Sequence, residues 1–157
     1  MKTLVVFYSR TGNTKKVAEE IAKILNADIE EIIDKKDRKG IVGWLKSGRD
    51  ATFKKSAEIE FVKNPIDYDL VIIGTPIWAF TMTPAIRTYL SENKFKKVAF
   101  FSTSGGSEGK KIFNEMEKIS REPVATLSLL TKNWPAELNL VKEENFGKIK
   151  EFCKKLY

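Results

Sequence analysis

The chain has 157 residues, 42% of them apolar and 31% charged, which suits one domain, residues 1–157, with a core of its own. With no histidine and one cysteine, it excludes Ser-His-Asp and Cys-His nucleophiles, histidine-held zinc, an intrachain disulfide and a cysteine-ligated iron–sulfur cluster. The net charge is +7, yet no recognised nucleic-acid-binding motif accompanies it, so no nucleic-acid partner is expected.

In chain order, the apolar patterns alternate in type. Residues 2–8 (KTLVVFY) form a continuous β-branched and aromatic run, short enough for a buried strand. Residues 14–25 place Val17, Ala18, Ile21, Ala22 and Leu25 on one helical stripe. Residues 28–33 (DIEEII) read as a strand near an edge. Residues 41–53 read as a helix through Ile41, Trp44, Leu45 and Phe53, interrupted by Gly43 and Gly48. Much of the charge lies around this segment: eight basic residues fall between 35 and 55, against Asp37 and Asp50. They form a solvated face, a docking patch for an acidic redox protein, or an attractor of anionic nucleotides.

Residues 70–74 (LVIIG) and 98–102 (VAFFS) are buried strands, and 124–130 (VATLSLL) a fifth. Helices are predicted at 84–90 (proline in the first turn), 108–119 and 146–156. Cys153 falls on the apolar face of the last and reads as a small buried hydrophobe, with a reactive thiol as the alternative. No run of about 18 apolar residues occurs, and no signal-peptide pattern opens the chain. The expectation is a cytoplasmic protein without a membrane span.

Repeated strand–helix alternation predicts an α/β fold: a parallel sheet with helices on both faces and right-handed crossovers. Ligands of such sheets bind beyond the carboxyl ends of the strands, so the loops there carry the information. The first is Ser9, Arg10, Thr11, Gly12, Asn13 and Thr14 (SRTGNT). Hydroxyls, an amide and the free N–H groups of a helix start suit a phosphate, and Gly12 allows close approach. The plainer alternative has Thr11 and Thr14 only capping the helix. Neither the triphosphate-loop pattern nor the dinucleotide glycine fingerprint is present. The magnesium site of a receiver domain would need acids where Phe7, Tyr8 and Ser9 stand.

The second loop, after the third long strand, includes Pro76, Ile77, Trp78, Ala79 and Phe80. Its aromatic rings suit stacking on a flat conjugated ring, or else plug the gap between loop and helix. The third is Thr103, Ser104, Gly105 and Gly106, where paired glycines let backbone groups reach a ligand edge, or simply turn the chain.

SRTGNT after the first strand, TPIWAF after the third and STSGG after the fourth resemble the flavodoxin family and its flavodoxin-like relatives over the whole chain. The resemblance implies a three-layer α/β/α fold, a five-stranded parallel sheet of order 2-1-3-4-5, and one non-covalent FMN. It implies that the first loop holds the phosphate and that the isoalloxazine ring lies between the other two. The implied role is a low-potential electron carrier between redox proteins, a reductase or an acceptor. The alternative is an FMN-dependent oxidoreductase taking hydride from NAD(P)H. Oligomeric state is left open.

Overall fold

The computed structural model of the chain describes residues 1–35, 57–106, 109–130 and 143–157. The main strands are β1 (Thr3–Phe7), β2 (Asp28–Glu31), β5 (Leu70–Trp78), β7 (Val98–Ser104) and β8 (Pro123–Leu130). They hydrogen-bond in the parallel order β2-β1-β5-β7-β8, the 2-1-3-4-5 arrangement. Short β3 (Ile33–Asp34) and β4 (Ile59–Glu60) pair antiparallel, and β6 (Thr81–Met82) folds back on β5. The helices are α1 (Asn13–Leu25), α2 (Pro84–Glu92), α3 (Lys110–Ile119) and α4 (Glu143–Lys154).

Strand residues alternate between two buried faces, which is why β1, β5 and β7 read as unbroken apolar runs. Leu4, Val6, Val71, Ile73, Val98 and Phe100 face one core, closed by Ile86 and Tyr89 of α2 and Phe113 and Met116 of α3. Val5, Phe7, Leu70, Ile72, Ala99 and Phe101 face the other, closed by α1 and α4. Val17 and Ile21 of α1 are fully buried, each stabilising by about 1.5–3 kcal/mol. Asn26, left-handed at φ 48°, ends α1 by donating its N–H to the Ala22 and Lys23 carbonyls.

One glycine is fixed by packing. A Cβ on Gly74 would lie 2.0 Å from the fully buried Phe101 ring, so only glycine lets β5 and that ring share the space.

At the β2 edge, the buried Glu30 carboxylate accepts from the Val62 and Lys63 N–H groups at 3.0 and 3.2 Å. This covers a strand edge that would otherwise be open to pairing. The apolar pattern predicts β2 through to residue 33; instead Ile33 and Asp34 leave the sheet to pair with β4. The helix expected at 41–53 and the start of the one expected at 108 lie outside the described residues. Among the described residues, no helix is long and apolar enough to cross a membrane.

Candidate functional site

The β1–α1 turn is built by Gly12 and Ser9. Gly12 is the N-cap of α1 at φ 91°, a left-handed value that costs glycine nothing. Gly12 has no side chain with which to cap the helix, and Thr11 and Thr14 do not serve as the caps that their types allow. The Ser9 Oγ instead accepts from the Gly12 N–H at 3.1 Å and the Lys15 N–H at 3.3 Å. This folds the loop into a cup and leaves the Ser9 hydroxyl hydrogen free to donate. Thr11 is exposed, whereas Thr14 is buried.

Thr14 reaches across the sheet. Its Oγ1 lies 2.9 Å from the Oγ1 of Thr103, which is equally buried at the end of β7. Two hydroxyls sharing one hydrogen bond keep one O–H between them for a further acceptor. The first and third loops are therefore joined directly. Thr103 and Ser104 belong to β7 itself, and Gly105 and Gly106 are the exposed residues beyond it.

The second loop is not a loop along most of its length. β5 runs on to Trp78, with Pro76 opposite Thr103 of β7. The last β1 pair is Phe7 with Gly74, so Pro76 lies where β5 has lost that neighbour and a missing N–H is tolerated. A two-residue turn at Ala79 and Phe80 then reverses the chain into β6, pairing Ile77 with Met82 and Trp78 with Thr81. Both turn residues are left-handed, at φ 47° and 61°, as tight hairpins require. Asn-Gly is the usual occupant; an alanine and a phenylalanine each carry about 1 kcal/mol or more of strain there.

The two aromatic residues of this hairpin differ. Trp78 is 9% exposed and meets Tyr8 edge to face at 5.4 Å, while Phe80 at the tip is 71% exposed. The Arg10 guanidinium lies over the Trp78 ring, 5.8 Å from its centroid, tying the first loop to the second. Phe101, the other aromatic near this end, is buried against Gly74 and does not line the surface.

Below the turn sits a polar cluster that sequence reading missed. Thr81 Oγ1 donates to Glu115 Oε2 at 2.7 Å, and Arg87 donates to the same Thr81 oxygen at 3.0 Å. Arg87 also bonds Glu115 at 3.2 Å, with the two side chains only 13% and 19% exposed. At the hairpin base the Thr75 Oγ1 accepts from the Thr83 N–H at 3.2 Å.

The loops together offer hydroxyls, one amide, backbone N–H groups and a single cation, Arg10, with no carboxylate among residues 9–14, 75–84 or 103–106. Such a set suits an anion at the α1 start and an uncharged, flat group beside the hairpin.

Comparisons with known proteins identify the family and the fold. The flavodoxin family profile matches residues 2–133, and the chain belongs to that family. A flavoprotein from Lactobacillus acidophilus NCFM, solved in complex with FMN, is 27% identical with a TM-score of 0.68, covering 81% of this chain and 92% of its own. The apo-form of the flavoprotein from the same organism, solved by NMR, is 24% identical with a TM-score of 0.57, covering 90% and 95%. Oxidised flavodoxin 2 from Bacillus cereus is 18% identical with a TM-score of 0.57, covering 99% and 97%. No curated protein matches the chain in sequence.

Proposed function

We propose that this flavodoxin-family chain binds one FMN, as a single domain, and acts as a low-potential electron carrier between redox proteins. The observation that carries the reading is the carboxylate-free cup at the start of α1, braced to β7 by Thr14 and Thr103. The donor set fits a phosphate dianion: the Ser9 and Thr11 hydroxyls, the Asn13 amide and the outward N–H groups of the helix start. Gly12 leaves open space where a Cβ would stand. Gly106 does the same at the third loop.

In this reading Ser9, Arg10, Thr11, Gly12, Asn13 and Thr14 hold the phosphate. Pro76, Ile77, Trp78, Ala79 and Phe80 flank one side of the ring, and Thr103, Ser104, Gly105 and Gly106 meet its other edge. The flavin supplies the redox chemistry, taking up one or two electrons. The residues of the chain bind it, orient it and exclude water from it. The Trp78 and Tyr8 rings give that side an apolar lining, which opposes added negative charge and keeps the potential low. Phe80 leaves an exposed aromatic edge through which a partner would be met. A reducing, cytoplasmic setting suits a chain with a single thiol.

The net charge of +7 favours a second reading, an FMN-dependent oxidoreductase that draws in anionic NAD(P)H and passes electrons to a small acceptor. Two measurements test both. Calorimetry of the apoprotein should show tight, one-to-one FMN binding; no heat would remove both readings. Anaerobic mixing of the yellow protein with NADH or NADPH should leave the flavin oxidised, while a ferredoxin-type reductase bleaches it. Rapid bleaching by either nucleotide would give the oxidoreductase the preference.

A further inference from the structure

The Ala79–Phe80 turn poses a physical question that its own residues do not answer. Two non-glycine residues hold positive φ, and the bulkier one is 71% exposed, so no packing of its ring compensates. Asn-Gly would make the same hairpin without strain. Something else must keep the turn in this shape, and the shape must be worth keeping.

We propose that Thr81, Arg87 and Glu115 are positioning residues that hold this turn in the conformation presented to the flavin. The inference rests on the reading that the hairpin flanks the flavin ring. Thr81 directly follows Phe80, and its backbone pairs with Trp78 across the turn. Its hydroxyl donates to Glu115 Oε2 at 2.7 Å and accepts from Arg87 at 3.0 Å, which fixes the rotamer from both sides. Arg87 comes from α2 and Glu115 from α3, so the hairpin is tied to both helices that cover this face. Both bonds to Thr81 involve a charged partner in a largely enclosed place, where such bonds are strong and directional. The charges of Arg87 and Glu115 oppose each other, so the cluster sets geometry with little net field of its own. Thr75 and Thr83 secure the base of the same hairpin.

The test compares Thr81→Val, Glu115→Gln and Arg87→Lys with wild type in thermal melting, FMN affinity, riboflavin affinity and the two midpoint potentials. FMN and riboflavin should weaken by the same factor, about tenfold for Thr81→Val, because the loss is on the ring side rather than at the phosphate. Both potentials should shift, and Thr81→Ser, which restores the hydroxyl, should bring them back. Variants that melt earlier yet keep wild-type affinities and potentials would overturn the proposal, leaving the cluster a fold support only. Loss of FMN affinity with riboflavin binding intact would also overturn it, by placing the effect at the phosphate. A wild-type protein that binds neither flavin would remove the functional reading itself, an outcome separable from the first two. Should Glu115→Gln fail to fold, Thr81→Val and Thr81→Ser carry the comparison alone.

Discussion

Thr11 and Thr14 are three residues apart and hold opposite positions. Thr11 is exposed, with no hydrogen bond among the described residues; Thr14 is buried and shares one hydrogen bond with the Thr103 hydroxyl. Thr11→Ala should therefore leave stability within about 0.5 kcal/mol of wild type. It should weaken FMN by roughly tenfold through one lost bond to a charged group, and leave riboflavin affinity unchanged. Titration of both flavins by fluorescence quenching decides it, equal losses placing the phosphate elsewhere. Cys153 illustrates the other extreme. Burial, reinforced by Glu20, pushes its thiol up to about 11, so it is neutral and shielded in the folded chain. Alkylation near pH 8 should be slow when folded and fast in denaturant. The raised value also sets a sign: the folded state retains the proton over the range where the unfolded thiol loses it. Its contribution is complete below pH 9 and declines as pH rises through about 11. Tyr68, pushed up to about 12 by burial and its bond to Asp28, adds a second loss at still higher pH. Urea midpoints measured between pH 8 and 11 should fall accordingly; a flat profile would contradict both.

Among the elements, the β5–β6 hairpin depends most on tertiary support. Replacing Ala79-Phe80 by Asn-Gly should stabilise the fold by about 1–2 kcal/mol, read as a higher urea midpoint. In that background Thr81→Val should cost less stability than in wild type, because the turn no longer needs holding; equal costs would mean that strain and cluster are unconnected. The hairpin also marks where sequence reading stops. β1, β5 and β7 are legible because both faces are buried and the apolar run is unbroken, and α1 because its stripe keeps a helical period. The end of β5 has the sequence of a loop because Pro76 and the proline at 84 are turn signals; the strand continues there because its β1 partner has already ended and the missing N–H costs nothing. Ala79-Phe80 carries no turn signal at all, since its backbone is imposed by its neighbours. The position of Trp78 after a strand marks it, but nothing local says that it lies edge to face with Tyr8 and nearly buried. Thr14 with Thr103, and Arg87 with Glu115, are joined across 89 and 28 residues, a distance that periodicity does not reach.

For the molecule as a whole, the charge of +7 acts on any added electron. A positive protein stabilises a reduced, anionic flavin, so its second midpoint potential should be highest at low salt. It should fall as the Debye length shrinks from about 30 Å at 0.01 M to about 3 Å at 1 M. A potential that does not change with salt would mean that the charge lies too far away, or is already neutralised, to matter, and one that rises would mean that the field at the flavin is negative. The hydroxyl pair of Thr14 and Thr103 has a different reach, because it spans the chain rather than the surface. A ribosome delivers the first of these residues well before the second, and β7 must seat beside β5 before the two can touch. A nascent chain therefore holds half a grip for most of its synthesis. On the site proposed above, coenzyme loading is a late event, reserved for copies whose sheet has already closed.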